Sequence, residues 1–516
     1  MHFASFSFII FIAVLVVLYY LIPKKWQWIL LLAASYFFYS FAGAGYLVFI
    51  IATTLSTWYA SIRLDRLKHI QTEYLAYNKK DMTREDRKSY KAEIKGRQRK
   101  WLVSCLVLNF GTLAVLKYAG YLPVGSMGII LPLGISFYTF QAMGYLIDIY
   151  RGSYDAEKNL AKLALFVSFF PQLVQGPISR FNQLKETMFA EHDYNADNIT
   201  YGLQRILWGF FKKLVIADRL VVAVKTIVTN PIDYQGSYVL LGMFFYAIQL
   251  YADFTGGIDI AIGVSRLLGI RLAENFERPY FSKSITEYWR RWHMTLGTWF
   301  KDYMFFPISV SKTMMSFSKK LRNKFGDGIG KRFPIYAASI IVWFTTGAWH
   351  GSSLNFIVWG LLNCLVILVS QECEPLYKKF HSRFPAIGRT FIYRLFQVGR
   401  TFWLMSFLRT LDVYAGVGTT FHMYGSVFTV WNLQELFQGG LLQLGLSTAD
   451  YVVLALAVGL VLYVSLQSRS GSYTLKINSS PMPMRYAAYF FIFVCVLIFG
   501  AYGVGYDSSQ FIYSQF

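Results

Sequence analysis

Long apolar stretches alternate with short polar ones along almost the whole chain. A helix needs about 20 apolar residues to cross a bilayer, so this pattern predicts a polytopic membrane protein built from helices. The candidate membrane segments lie near residues 4–22, 28–42, 46–62, 101–118, 129–149, 160–176, 203–228, 237–252, 258–270, 333–350, 354–371, 391–408, 450–466 and 486–504. The first segment lacks the basic residues and the cleavage site of a signal peptide, so we expect it to remain as a membrane helix.

Pro, Gly and polar residues interrupt the apolar pattern at two places. One interruption runs from Phe169 to Pro177, and the other runs from Asp253 to Gly257. Irregular backbone at membrane depth is tolerated only where it is buried in protein or lines a cavity. We therefore expect broken helices at both places, and about 11 to 14 membrane or re-entrant helices in all.

Basic residues cluster between the apolar stretches. Segment 63–100 carries thirteen Lys or Arg against six Asp or Glu, and segment 301–332 carries eight against two. Because cytoplasmic loops are enriched in Lys and Arg, both segments are predicted to be cytoplasmic, as is 372–400. Segment 410–449 has no Lys or Arg and is predicted to lie outside. Following the chain through these segments places both termini outside.

The composition agrees with a membrane protein and excludes several classes of function. Of the 516 residues, 55% are hydrophobic and only 15% are charged, with a net charge of +22. In soluble domains about a quarter of the residues are charged. The Lys and Arg residues are clustered in predicted cytoplasmic loops, so the positive net charge does not indicate nucleic-acid binding. The four cysteines lack Cys-x-x-Cys spacing, and no motif for nucleotide hydrolysis, zinc proteolysis or serine-hydrolase chemistry occurs. We therefore expect neither a metal nor a bound cofactor.

The first candidate for chemistry is a histidine among tryptophans and arginines. Ser284 and Glu287 have the spacing of a capping box, which predicts a helix that runs through His293 towards Phe300. On such a helix Trp289 and His293 would share a face. The helix either lies at the membrane interface with an aromatic belt or lines a pocket for an anionic or phosphate-bearing substrate.

The second candidate is His350, at the end of an apolar run between Gly347 and Gly351. These glycines permit close backbone approach. Ionisable groups in a membrane are costly and often functional, and an imidazole suits a general base near neutral pH. The alternative is a core histidine with a structural role. The remaining histidines show no partner pattern and are assigned no role: His2, His69, His192, His381 and His422.

Two acidic residues, Asp253 and Asp259, lie beside the expected break at Gly256. Arg266 follows Asp259 by seven residues on the same helical face. The spacing favours a structural ion pair that stabilises the broken helix, with a catalytic carboxylate as the alternative.

Five segments, in this order and approximate spacing, resemble the membrane-bound O-acyltransferase family. Within that family, the similarity is to the branch that holds the membrane subunit of bacterial alginate O-acetyltransferase and its peptidoglycan-acetylating and teichoic-acid D-alanylating relatives. The segments are Phe169–Ile178, Tyr251–Gly256, Glu274–Tyr280, Trp289–His293 and Gly347–Gly351.

This resemblance implies an all-α fold over residues 1–505, with a conical core between a cytoplasmic funnel for the acyl donor and an outer funnel for the acceptor. It implies that His350 matches the catalytic histidine and that His293 matches a second histidine on the donor side. Thioester acyl transfer needs a base for the acceptor hydroxyl and donors for the oxyanion. The candidate substrate-binding residues are Trp289, Arg290, Trp292, Trp349, Asp253 and Asn275.

The function implied is O-acylation of a cell-surface polysaccharide, and within that class O-acetylation, by an enzyme of the bacterial cytoplasmic membrane. Acetyl-CoA or another cytosolic acyl thioester would be the donor. A partner with an extracytoplasmic serine-hydrolase-type domain would complete the transfer, because this chain has no such domain. Two alternatives stay open: D-alanyl transfer to teichoic acid from a carrier protein, and transport of a polysaccharide or lipid-linked sugar by an alternating-access fold.

The last residues, 506–516, form a tail predicted to lie outside. Its Tyr513 resembles the tail tyrosine of this branch, which is thought to accept the acyl group and relay it outward. Ser514 stands where an aromatic residue is common and offers a second hydroxyl. The alternative is a frayed terminus anchored by its aromatic side chains.

Overall fold

The computed structural model describes residues 2–121, 131–470 and 473–502. Every regular element in these ranges is helical, apart from an isolated antiparallel bridge between Phe276 and Trp292. The predicted all-α class is confirmed. The chain groups into two compact units, Met1–Gly202 with Val264–Ala273, and Leu203–Gly263 with Glu274–Phe516.

The first unit contains eight complete α-helices in its described residues and the start of a ninth. They are α1 (Phe6–Leu21), α2 (Gln27–Ser40), α3 (Leu47–Tyr77), α4 (Arg84–Lys117), α5 (Ile135–Arg151), α6 (Leu160–Ser168), α7 (Phe170–Leu173), α8 (Phe181–Met188) and α9 (Ala196–Phe210).

Helix α4 begins at a complete capping box. The Thr83 hydroxyl accepts a hydrogen bond from the Asp86 N–H at 3.1 Å, and the Asp86 carboxylate accepts one from the Thr83 N–H at 3.2 Å. Both bonds satisfy N–H groups that have no partner within the helix. The charged start of α4 is therefore fixed, and the helix continues without a break into the apolar residues up to Lys117.

The interruption predicted between Phe169 and Pro177 is confirmed. Helix α6 ends at Ser168, and α7 is a single turn before irregular backbone leads to α8. Gly134 and Gly176 make the close packing here possible, because a Cβ on either would collide with the backbone of α7. Phe169 and Phe170 are buried, so the irregular backbone lies inside protein, as membrane depth requires.

The second unit contains the remaining helices. They are α10 (Asp218–Thr229), α11 (Ser237–Leu267), α12 (Ile285–Arg291), α13 (Met294–Phe300), α14 (Phe306–Ser309), α15 (Lys312–Phe325), α16 (Asp327–His350), α17 (Leu354–Glu372), α18 (Glu374–Arg383), α19 (Phe391–Arg409), α20 (Val417–Thr429), α21 (Leu433–Glu435), α22 (Thr448–Gln467), α23 (Tyr473–Asn478) and α24 (Met482–Phe499). A π-helical turn, Phe211–Ala217, joins α9 to α10.

The prediction of a broken helix near Gly256 is wrong. Residues 237–252 and 258–270 were expected as separate segments, but α11 continues from Ser237 to Leu267. Gly256 instead serves a close crossing. A Cβ on Gly256 would lie 2.9 Å from the Gly209 carbonyl oxygen, and a Cβ on Gly209 would lie 2.6 Å from the Gly256 carbonyl oxygen. Glycine is therefore required for packing between two helices and not for a turn.

Six helices among the described residues are long and apolar enough to cross a bilayer. In the most apolar 18-residue window of each helix, between 11% and 72% of the residues are buried. Many apolar side chains are therefore exposed and available for contact with lipid. The predicted polytopic membrane character is thus confirmed. The six are Ala44–Tyr77, Arg84–Lys117, Ser237–Leu267, Leu354–Glu372, Thr448–Gln467 and Met482–Phe499.

Candidate active site

His293 lies at a break between two short helices, where one continuous helix was expected. Helix α12 ends at Arg291 and α13 starts at Met294, so the predicted helix from Ser284 towards Phe300 is wrong beyond its first two turns. The start is correct, because the Ser284 hydroxyl accepts from the Glu287 N–H at 3.2 Å. Since the helix stops there, Trp289 and His293 do not share a helical face.

The backbone of His293 is strained. Its φ of +48° is in the left-handed region, and Arg278 is the other non-glycine residue with positive φ in the described part of the chain. Such a conformation costs on the order of 1–3 kcal/mol and persists where the surroundings fix it. Two backbone hydrogen bonds do so here: Glu277 N–H to Arg291 O, and Met294 N–H to Asn275 O, both 2.9 Å.

Asn275 sets the orientation of the imidazole. Its fully buried side-chain oxygen accepts hydrogen bonds from the Thr295 N–H at 3.1 Å and the Thr295 hydroxyl at 2.9 Å. The same oxygen lies 3.2 Å from Nδ1 of His293. Because this oxygen is an acceptor, Nδ1 carries the proton, and Nε2 holds the lone pair of the neutral ring.

His293 lies outside the six candidate spans and is buried. Burial, and to a smaller extent the positive charge of Arg409, lowers the pKa of His293 well below its usual range. The imidazole is therefore neutral near pH 7.

His350 is the last residue of α16 and is buried. The close backbone approach expected at Gly347 is confirmed, since a Cβ there would meet the Phe356 backbone of α17. This contact brings α16 and α17 together, and the His350 ring lies 4.8 Å from Trp359 between centroids.

Trp349 joins the two histidines. Its ring centroid lies 6.3 Å from that of His293 and 4.8 Å from that of His350. The structure thus brings together His293, Trp349 and His350, which come from two motifs that are distant in the sequence. The arrangement places two buried imidazoles against one indole.

The other two predicted tryptophans belong to the same aromatic cluster. The Trp289 ring lies 5.8 Å from Trp359, and its indole N–H donates to the Asn363 side-chain oxygen at 3.3 Å. Trp292 is buried and stacks on Tyr288, with centroids 5.5 Å apart. Trp289 therefore reaches His350 through Trp359, and Trp292 reaches His293 through Phe254.

A buried ion pair completes the cluster, and sequence reasoning missed it. The guanidinium carbon of Arg409 lies 4.7 Å from the ring centroid of Trp359 and 5.3 Å from those of Trp289 and Trp292. Arg409 donates to Asp412 at 3.1 Å, and their side chains are only 5% and 3% exposed. The available signal was an arginine followed three residues later by an aspartate at the end of an apolar run.

Asp253 and Asp259 form ion pairs, as expected, but with other partners. Asp253 lies 2.6 Å from Lys213, and Asp259 lies 2.5 Å from Lys212 and 2.6 Å from Arg205. The expected pairing with Arg266 is wrong, because the cations come from α9 and the π-helical turn instead. These buried charges connect α11 to the preceding helices.

Arg290 lines a cavity of about 560 Å³ bounded by α12, α17, α18 and α19. Lys283 and Arg400 also line it, and the Arg400 guanidinium donates to the Lys283 carbonyl oxygen at 2.9 Å. The cavity therefore carries three cationic side chains against one acidic side chain, Glu374. Tyr513 and Ser514 lie outside the described residues.

The arrangement combines groups that acyl transfer requires. Nε2 of the neutral His293 is able to accept a hydrogen bond, and His350 provides a second imidazole beside the same indole. A buried guanidinium lies in the same cluster. Fixed charges and dipoles in such a dry site stabilise developing charge better than they do in water.

Comparison with known proteins agrees with this chemistry. The sequence profile of the membrane-bound O-acyltransferase family matches residues 157–325. The chain is 30% identical over 471 residues to the probable alginate O-acetylase of Azotobacter vinelandii, which covers 86% of this chain and 82% of the relative.

Two further relatives are named for different activities. The peptidoglycan O-acetyltransferase of Helicobacter pylori is 28% identical over 71% of this chain and 68% of its own length. The teichoic acid D-alanyltransferase of Bacillus subtilis is 30% identical over 48% of this chain and 61% of its own length. The extent of the match to the alginate O-acetylase shows that this chain belongs to the membrane-bound O-acyltransferase family.

Proposed function

We propose that the protein is an O-acetyltransferase of the bacterial cytoplasmic membrane that moves acetyl groups from a cytosolic thioester towards a cell-surface polysaccharide. The observation that carries the proposal is the meeting of His293 and His350 on Trp349, in a buried cluster with Arg409. The similarity to an alginate O-acetylase and a peptidoglycan O-acetyltransferase supports the choice of acetyl group and of a glycan acceptor.

His350 acts as the general base. It takes the proton of the acceptor hydroxyl as the oxygen attacks the thioester carbonyl, and the carbon–sulfur bond then breaks to release the thiol. The proton held by His350 passes to the departing sulfur. His293 positions the thioester from the donor side: its ring is held by Asn275, and its unprotonated Nε2 accepts a hydrogen bond from an amide N–H of the acyl donor.

The aromatic residues and the ion pairs position the reactants. Trp289, Trp292 and Trp349 exclude water from the reacting carbonyl, which strengthens every electrostatic interaction there. For Asp253, the pairing with Lys213 supports an indirect role, in which it holds α11 in place.

The cationic cavity supports a phosphate-bearing donor such as acetyl-CoA. Lys283, Arg290 and Arg400 line it, and it starts at the same helix α12 that carries Trp289. Arginine is well suited to phosphate recognition because its donors match two oxygens at once.

The direction of transfer follows from the charge pattern. We assign segments 63–100 and 301–332 to the cytoplasm and both termini to the outside. On this basis residues 1–505 form the acyltransferase domain and 506–516 an outer tail, where Tyr513, or else Ser514, accepts the acetyl group. A partner with a serine-hydrolase-type domain then passes it to the glycan.

The donor is tested with the purified protein in detergent. Acetyl-CoA should release free thiol in the presence of a hydroxyl acceptor, whereas a D-alanyl-charged carrier protein should not. Acetyl esters on the surface polysaccharide should disappear from cells that lack the gene and return on complementation. Turnover of the D-alanyl carrier without turnover of acetyl-CoA would replace the proposal by D-alanyl transfer, which the teichoic acid D-alanyltransferase relative favours.

A further inference from the structure

Asp65, His69 and Asp155 form a cluster in the first unit, apart from the residues used above. Asp65 and His69 are one turn apart on α3, and Asp155 belongs to the segment between α5 and α6. One ligand atom from each lies within 4.8 Å of the other two. Ligands of a zinc ion lie about 2.0–2.2 Å from it and so at most about 4.4 Å from one another, which means that a small movement of the side chains would bring these atoms around one ion.

The burial of the Asp65 carboxylate indicates that this cluster binds a ligand. It is 5% exposed, and its Oδ1 accepts no hydrogen bond from any described residue. Its Oδ2 faces Nε2 of His69 at 3.5 Å, which is an ion pair only when the histidine is protonated. Buried carboxylates in proteins are either paired with a cation or coordinate a metal. The buried Asp65 carboxylate thus turns one oxygen towards His69 and has a second oxygen without a hydrogen bond from the described residues.

Lys68 forms an ion pair with Asp155, the third residue of the cluster. Its ammonium lies 2.7 Å from Asp155 Oδ1, with both side chains exposed. A divalent cation bound by the three ligands would displace this ammonium and bind Asp155 in its place. The two side chains on α3 and the one on the following segment would then be joined through one ion.

We propose that Asp65, His69 and Asp155 bind one divalent transition-metal ion of the zinc class. An imidazole with two carboxylates is a donor set suited to such ions, and the exposed side of the cluster leaves room for water as further ligands. The ion fastens the segment after α5 to α3.

The test is calorimetric titration of Zn²⁺ into the full chain in detergent, purified without a polyhistidine tag. The wild type should bind one ion at this site, and Asp155→Asn and His69→Ala should weaken binding. Loss of an outer partner of a metal site already costs about 10- to 100-fold in affinity, so loss of a ligand should cost at least as much. Asp65→Asn should act in the same way.

Two kinds of control separate a built site from surface binding. His422→Ala and Asp193→Asn remove an exposed histidine and an exposed acid elsewhere, and they should leave the affinity unchanged. Lys68→Met removes the competing ammonium and should tighten binding.

The proposal fails if the wild type binds Zn²⁺ no better than Asp155→Asn or His69→Ala. Both residues are exposed, so these two variants decide the matter even where Asp65→Asn does not fold. Weaker binding in Lys68→Met would also contradict it, because the ammonium would then be a supporting group and not a competitor.

Discussion

Arg409 and Asp412 form a buried ion pair at the end of α19, against the indoles that surround the two histidines. Removing two charges from water is expensive, and the cost is met only where each has its partner. Burial raises the pKa of Asp412, while the charge of Arg409 opposes that rise. The pair therefore fixes a guanidinium in a dry site, where, on the proposed function, its N–H groups are placed to stabilise the developing oxyanion.

Arg409→Met should lower stability and acetyl transfer together. Loss of one partner of a buried pair costs about 3–5 kcal/mol, because the other charge is left uncompensated. Adding Asp412→Asn should restore much of the thermal stability but not the rate, if the guanidinium is what the reaction needs. Arg332→Met, which breaks an exposed pair with Glu372, is the matched control and should change neither. Recovery of the rate in the double variant would reduce Arg409 to a structural role.

Asn275→Asp tests the protonation state of His293. A carboxylate in place of the amide oxygen, 3.2 Å from Nδ1, would favour the imidazolium and raise the pKa of His293. Since the variant would then hold a proton on His293 at mildly acid pH, its rate relative to wild type should fall as the pH drops from 8 to about 5. The ratio of rates is measured across that range, and a ratio independent of pH would show that neutral His293 is not required.

The sequence indicated the two histidines as candidates but not the arginine. His293 and His350 stand out because an imidazole in an apolar context is unusual. Arg409 ends an apolar run, where a cation is commonplace. Its partners Trp289 and Trp359 lie on α12 and α17, and nothing in the sequence shows that these helices meet.

At the scale of elements, the break between α12 and α13 creates the strained position of His293. The capping residues predicted where α12 begins, but no Gly or Pro marks where it ends. The bridge between Phe276 and Trp292 takes the backbone out of the helix, so tertiary pairing overrides local preference. The reverse happened in α11, where Gly256 suggested a break and instead allows a close crossing with Gly209.

Comparison of His293→Gly with His293→Ala measures this strain. Both variants lose the imidazole, but glycine adopts a φ of +48° freely, whereas alanine pays about 1–2 kcal/mol for it. The glycine variant should therefore unfold at a higher temperature than the alanine variant, at equal loss of transfer rate. Equal thermal stability would mean that the backbone relaxes when the side chain is removed.

At the scale of the whole molecule, apolar runs predicted an all-α membrane protein, and the structure confirms it. The number and ends of the helices were less predictable, since short helices such as α7 and α13 depend on packing by distant segments. The same limit applied to the ion pairs of Asp253 and Asp259, whose partners are about 40 to 54 residues away in the sequence.

The orientation is testable with single cysteines in a background without Cys105, Cys364, Cys373 and Cys495. Lys88 and Gln434 are both exposed, in the segments assigned to the cytoplasm and to the outside. An impermeant maleimide should label Gln434→Cys on intact cells and Lys88→Cys only after lysis, because the charge pattern assigns the basic segment to the cytoplasm. Labelling in the opposite order would invert the direction of acyl transfer.

On the proposed function, the buried histidines carry out acyl transfer, with His350 as the base. The most direct measurement is the rate of transfer from acetyl-CoA by purified His350→Ala, next to His422→Ala as an exposed histidine control. Loss of a general base costs about 10²- to 10⁴-fold, so His350→Ala should fall by that factor while the control keeps its rate. A folded His350→Ala variant with a rate near that of wild type would show that His350 is not the base.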